Sequence, residues 1–314
     1  MKNKNISIFL DHKTIKMLFL GFSSGLPILL VFSTLSVWLI KAGIDRSTVT
    51  LFSWAGFAYA FKYLWSPIID NFRLPFFQKL GHRRSWLLFA QLMVVLSLVA
   101  TSFTDPSKGL MSISITITFL AIFSATQDIV IDAYRIESAP QNLQGPLSSM
   151  YIAGYRLAML VGGAGSLWIA SYLGGGTYDQ AVWKFVYLSM AILMIIGVVT
   201  TLLSKELKIK KNNFLKVSEH AKFLFVFIIS LAGFIYLYNL IENPFLTNDI
   251  VIKFIFSLVR ISLCFVFAGL IISLAISVNF ISKKKTSKIY IEPLSNFTNR
   301  YGKFAISIIL LIGL

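Results

Sequence analysis

Long apolar stretches separated by short polar or basic connections dominate this chain, and they fall at 17–40, 48–69, 85–104, 110–132, 147–172, 182–204, 223–241 and 254–281. A hydrocarbon core of about 30 Å is crossed by roughly 20 residues of helix, so each of the eight is long enough to span a bilayer. Backbone amides in lipid need partners inside their own segment, which makes these stretches helices. The residues from Phe304 to Leu314 are apolar but for Ser307 and read as an incomplete ninth helix.

Composition agrees with lipid as the solvent. The chain is 56% hydrophobic and 13% charged, with a mean hydropathy of +0.76, which leaves too little polar surface for a soluble globule of 314 residues. A net charge of +16 raises the question of nucleic acid, but the basic residues lie in short blocks between apolar runs rather than in one groove. No nucleic-acid partner is expected. Cys264 is the single cysteine, and neither a zinc spacing nor a nucleophile–base set is present, so the sequence predicts no enzyme, metal or cofactor. The basic N-terminus precedes a run, Met17 to Ile40, that lacks a cleavage site and reads as a retained first helix.

The basic blocks set an orientation. With the N-terminus in the cytoplasm, most of the basic residues fall in inner connections, while the outer ones hold Lys41, Arg46, Lys108, Lys184 and Lys253. Four regions follow from the texture of the connections. Residues 1–204 form a tightly connected six-helix domain, and 205–222 is a basic cytoplasmic connector. Residues 223–281 add two further transmembrane helices, and 282–314 is a cytoplasmic linker leading into the start of the ninth.

Charged residues inside apolar segments carry the candidate chemistry. In the fourth segment Asp128 and Asp132 are four apart on one face, next to Gln127. Like charges one turn apart repel, so one carboxylate tends to keep its proton, which is what proton coupling or gating requires; hydration at the cytoplasmic mouth is the alternative. Arg156, with Tyr155, lies in the fifth segment, where an arginine costs about 2.5 to 3.5 kcal/mol on insertion scales. It can pair with Asp128 or Asp132, recognise an acidic substrate group, or snorkel to the interface. Lys62 in the second segment is a candidate counter-ion for the same carboxylates, or a bridge toward Asp70. Gly21 and Gly25 in the first segment and Gly154 and Gly162 in the fifth form small-residue faces suited to close helix contact. Asp70, Gly81, Arg83 and Arg84, in the loop between the second and third segments, compose a candidate conformational latch.

Five stretches together resemble the AmpG-type muropeptide permeases of the major facilitator superfamily: GFSSGLP at 21–27, FKYLWSPIID at 61–70, GHRRSW at 81–86, SATQDIVIDA at 124–133 and GYRLAMLVGG at 154–163. The resemblance implies an all-α integral membrane protein with a major-facilitator-type six-helix N-terminal domain, here with two additional helices and the incomplete ninth. It implies proton-driven import of anhydro-muropeptides across the bacterial inner membrane for cell-wall recycling. It puts Gln127, Asp128 and Asp132 at the coupling site, with Tyr155 and Arg156 beside it. Asp70, Gly81, Arg83 and Arg84 take the place of the superfamily's loop between helices two and three, although the usual spacing there is broken. Two other readings stay open: a transporter of another bulky anion such as an acyl-coenzyme A, and a non-transporting remnant or assembly subunit that a separately encoded second half would complement.

Overall fold

The computed structural model describes residues 11–74, 80–175, 177–207, 217–241, 250–287 and 292–302, with single positions at 9 and 304. The described residues form an all-α, multi-pass membrane fold. Six helical stretches are long and apolar enough to cross a bilayer: His12–Lys41, His82–Ser102, Leu110–Ser138, Gln141–Gly174, Gln180–Leu202 and Ile255–Ser277. The chain divides into two units, residues 1–69 with 73–212 and residues 70–72 with 213–314. The expected ninth helix lies outside the described residues except at Phe304.

The first crossing is two helices, α1 (His12–Val31) and α2 (Ser33–Lys41), joined at Phe32, whose backbone leaves the helical region. Asp11 caps α1 by accepting from the Lys13 amide at 3.1 Å. Pro27 lies inside α1 and cannot donate to the Ser23 carbonyl. The next expected crossing, 48–69, is not one helix but a series of short pieces: α3 (Arg46–Leu51), a 3₁₀ turn (Phe52–Gly56), α4 (Phe57–Ala60), a second 3₁₀ turn (Lys62–Leu64) and α5 (Ser66–Asn71). The breaks fall at Phe61 (φ −100°, ψ 12°) and Trp65 (φ −107°, ψ −4°). Pro67 supplies a physical reason: it has no N–H for the Tyr63 carbonyl, and the Ser66 hydroxyl donates to that carbonyl at 3.2 Å instead. The Trp65 indole N–H donates to Thr126 Oγ1 at 3.2 Å, which ties the broken segment to the helix that carries Thr126.

The remaining crossings of this unit are α6 (His82–Ser102), α7 (Leu110–Ser138), then α8 (Gln144–Leu160) continuing through a π turn (Val161–Gly165) into α9 (Ser166–Gly174), and α10 (Gln180–Leu202). A π turn widens the helix and leaves carbonyls without their usual donors. Here Thr34 Oγ1 donates to the Gly162 carbonyl at 2.9 Å, and Ser166 Oγ donates to Gly162 and Gly163 at 2.6 and 2.8 Å. The apolar core lies between α1, α2, α6, α7 and α10. In it Trp38 stacks on Trp183 at 5.6 Å, and the Tyr187 hydroxyl donates to the Leu30 carbonyl at 2.9 Å, near the Phe32 break.

Two glycine pairs bring α1 and α8 into backbone contact. A methyl built on Gly21 would strike the Tyr151 carbonyl, one on Gly25 the Tyr155 carbonyl, one on Gly154 the Leu18 carbonyl, and one on Gly162 would stand 2.7 Å from the Leu26 oxygen. The small faces read from the sequence are this seam. In lipid such contact matters because dispersion and close packing, not apolar burial, hold helices together.

In the other unit α11 (Val217–Leu240) and α12 (Ile250–Ser277) form a hairpin, followed by the single turn α13 (Lys283–Thr286) and by α14 (Glu292–Tyr301). The apolar part of α11, Phe225–Leu240, is shorter than a full crossing. Arg260 of α12 donates through Nε to the Tyr238 carbonyl at 2.8 Å and lies 3.8 Å from the centre of the Tyr238 ring, which satisfies an arginine placed in an apolar helix.

Candidate functional site

Asp128 is buried two-thirds of the way along α7, and three elements converge on it. From the α1–α8 seam, Ser24 donates to Asp128 Oδ1, and the same hydroxyl lies 2.8 Å from the Tyr151 hydroxyl. From the broken segment, Lys62 Nζ lies 3.9 Å from Asp128 Oδ2, with the lysine 36% exposed and the aspartate 7%. The break at Phe61 sits immediately before this lysine. Next to Asp128, Gln127 donates to Ser23 Oγ at 3.4 Å, so two consecutive residues of α7 meet two consecutive serines of α1.

This arrangement can respond to a proton. A carboxylate accepts only, so with Asp128 ionised the hydrogen bonds can run from Tyr151 through Ser24 to Asp128. Protonation turns the carboxyl into a donor and removes its attraction for Lys62. The bond directions along the chain can then reverse, and the broken segment loses its ionic tie to α7. The low polarity of the surroundings makes both changes larger than they would be in water.

Asp132, one turn on, is separately engaged. It is half-exposed and pairs at 3.2 Å with Arg135, which also donates to Ser148 Oγ at 2.8 Å and lies 5.6 Å from the Tyr151 ring centre. Tyr155 is partly buried, with its ring 6.0 Å from that of Tyr151. The expected pairing of Arg156 with a carboxylate of α7 is not what the structure shows. Arg156 is exposed, and its guanidinium contacts Met159 Sδ at 3.7 Å. Its neighbour Tyr155 faces α1 through the Gly25 contact, and one residue is about 100° of helical rotation, which turns Arg156 away.

The loop arginines are tied to carboxylates that the sequence did not single out for them. Arg83 makes a two-pronged pair with Glu137 at 2.6 and 3.0 Å. Glu206 accepts from the backbone amides of Arg83 and Arg84, each at 3.2 Å, capping the N-terminus of α6. Arg84 reaches the last carbonyls of α10, donating to Leu202 at 2.7 Å and Thr201 at 3.3 Å. Gly81 has φ +90°, and any side chain there would collide with the Glu206 carboxylate. The ends of α6, α7 and α10 are thereby pinned together. Asp70 lies in the last turn of α5, in the other unit, and residues 75–79 of the same loop are outside the described residues.

Ser23, Ser24, Arg135, Glu137, Tyr151 and Glu206 are the site residues that the sequence reading missed. Ser23 and Ser24 sit between the two glycines of GFSSGLP, a polar pair inside an apolar helix, which was the available signal.

The family model described as acetyl-coenzyme A transporter 1 matches residues 14–161. The protein named transporter AmpG 4 in Rickettsia conorii is 36% identical over 213 residues, 67% of this chain and 50% of that protein. The anhydromuropeptide permease of Escherichia coli K12 is 38% identical over 207 residues, 66% of this chain and 40% of the permease. The chain is a distant relative of the AmpG-type permeases. It spans about half the length of the curated relatives it matches. Among the described residues, no group of three or more His, Cys, Asp or Glu is placed to hold a metal ion.

Proposed function

We propose that this chain takes part in proton-coupled uptake of an anhydro-muropeptide, with residues 1–204 as the transporter domain and the N-terminus in the cytoplasm. The observation that carries the reading is the buried Asp128, linked through Ser24 to Tyr151 and paired with Lys62. A carboxylate that joins three elements can change their mutual attraction when it gains a proton, and such a change is the element that coupling requires. Asp132 with Arg135 forms a second, more accessible carboxylate at the end of α7 toward the pinned arginines, and we assign it to gating. Arg156 and Tyr155 are assigned to substrate: an exposed guanidinium suits a carboxylate or phosphate, and the substrate path in this reading runs between this unit and a further set of helices.

The match to the acetyl-coenzyme A transporter model favours a second reading, a different bulky anion carrying phosphate. Uptake of labelled anhydro-muropeptide and labelled acetyl-coenzyme A by cells expressing the chain separates the two. The first reading expects muropeptide uptake that collapses with the proton gradient. Uptake of the coenzyme A thioester in its place would install the second, and uptake of neither would remove both as activities of this chain by itself.

A further inference from the structure

We infer that the turn closing α12 binds the phosphodiester headgroups of anionic lipids. α12 ends in a left-handed reversal: Asn279 takes φ +57°, its amide donates to the Ile276 carbonyl at 3.0 Å, and the Phe280 amide donates to Ala275 at 3.0 Å. The chain folds back at once. Ile281 is buried, and Thr286 returns to the Ser282 carbonyl through its amide and its hydroxyl, each at 2.9 Å. Lys283 and Lys284 are exposed on this turn.

The start of the hairpin supplies a third cation at the same end. Lys222 of α11 places its ammonium 5.4 Å from the centre of the Phe280 ring, and Phe225 lies 6.0 Å from that ring. Lys222 is therefore brought to the residue that lies three positions before Lys283, although more than fifty residues separate them in sequence. Lys285 and Lys288 extend the cluster in sequence, no acidic residue occurs between Asp249 and Glu292, and Glu219 is the acid nearest Lys222 in sequence. The charge balance at this end favours an anion.

The anion is a lipid because of what leads to the turn. Leu270, Leu274 and Val278, spaced four apart, form an exposed apolar stripe down one side of α12 that runs into the lysines. An acyl chain lying on that stripe puts its headgroup at Lys283 and Lys284, an arrangement that a soluble phosphate does not use. Basic residues just beyond an apolar helix attract anionic lipid, and the folded turn holds these at a fixed depth.

The test uses the full chain in nanodiscs, with Ser287→Cys carrying a fluorophore in a Cys264→Ala background. Nitroxide-headgroup phosphatidylglycerol and phosphatidylcholine serve as quenchers. The glycerol lipid should associate at least about five-fold more strongly, the contribution of roughly one lysine near an anionic surface. The preference should fall below two-fold in Lys283→Gln/Lys284→Gln/Lys285→Gln. It should fall likewise when the lysines of the already reconstituted protein are acetylated, which avoids any effect of the substitutions on insertion. Equal quenching by both lipids in the unmodified protein would overturn the proposal, as would a preference that survives acetylation. Displacement of the lipid by millimolar glycerol phosphate would overturn the lipid assignment in favour of a free-anion site.

Discussion

Gly162→Ala, Gly154→Ala and Gly21→Ala each place a methyl group where α1 and α8 already touch. At Gly162 that methyl would stand 2.7 Å from the Leu26 carbonyl oxygen, against about 3.4 Å for ordinary contact, so the oxygen must retreat by about 0.7 Å; at Gly21 and Gly154 the approach is closer still. Both sides of the clash are backbone, and no rotamer change relieves it. Forcing an extra methyl into close packing costs about 1 to 3 kcal/mol, or roughly 5- to 150-fold in the folded-to-unfolded ratio. Gly145→Ala, near the start of α8, is the control because a methyl there meets nothing within 4 Å. Unfolding of the full chain by a graded denaturing detergent in mixed micelles reads the difference. The three seam variants should unfold at lower detergent fraction than the wild type, and the control should not. Gly21→Ala and Gly154→Ala open the same seam, so the double variant should lose less than the two single losses added together. Seam variants as stable as Gly145→Ala, or strictly additive losses, would refute the close-contact reasoning.

Breaking the pair between α6 and α7 should be costly in a direction that depends on geometry: Arg83→Ala should destabilise by about 1.5 to 3 kcal/mol, the worth of a hydrogen bond to a charged group, because Glu137 is exposed and regains water, and Arg83→Lys should recover only part of this because the fork is lost. Thermal denaturation of the two variants checks the order. Between α6 and α7, Ser107 and then the Tyr178 hydroxyl hold the Asp105 carboxyl below the usual carboxylate range, and burial followed by Asp105 pushes Tyr178 up to about 12. A depressed carboxylate stabilises above its unfolded value near 4 and loses that contribution as pH falls through the folded value; the raised tyrosine contributes below about 10 and loses it toward 12. Tyr178→Phe should therefore be less stable than wild type from pH 5 to 9, and the gap should close below about pH 4; a gap constant down to pH 2 would contradict the hydrogen bond's role. Reporter fusions after Ile40, Arg84, Lys108 and Lys216 should read outside, inside, outside, inside, and a cytoplasmic signal at Lys108 would reverse the orientation assigned from charge.

Hydropathy exposed the long crossings because lipid demands an unbroken apolar stretch, and glycine spacing exposed the α1–α8 seam because only glycine permits such approach. The same logic failed at 48–69. That stretch is apolar enough to look continuous, but Ser66–Pro67 and the Trp65 bond to Thr126 break it, and a bond to another helix leaves no trace in a hydropathy pattern. Asp128 with Lys62 was legible because isolated charges in apolar segments need each other. Of the three readings open for Arg156, pairing with a carboxylate of α7 is the one not seen, because the rule demands a partner without saying which side of the helix the residue occupies. Ser24 and Glu206 were hidden because their importance lies in partners more than one hundred residues away in sequence.

The most direct test of proton coupling at Asp128 compares two modes of transport of labelled anhydro-muropeptide in Asp128→Asn. A proton falling through 100 mV supplies about 2.3 kcal/mol, a ceiling of about 50-fold accumulation for one proton per substrate. The asparagine keeps an acceptor for Ser24 but carries no titratable proton and no charge for Lys62. The account predicts that gradient-driven accumulation falls to equilibration while counterflow, which needs no net proton movement, persists. Accumulation in Asp128→Asn that still rises with the pH gradient as in the wild type would contradict it.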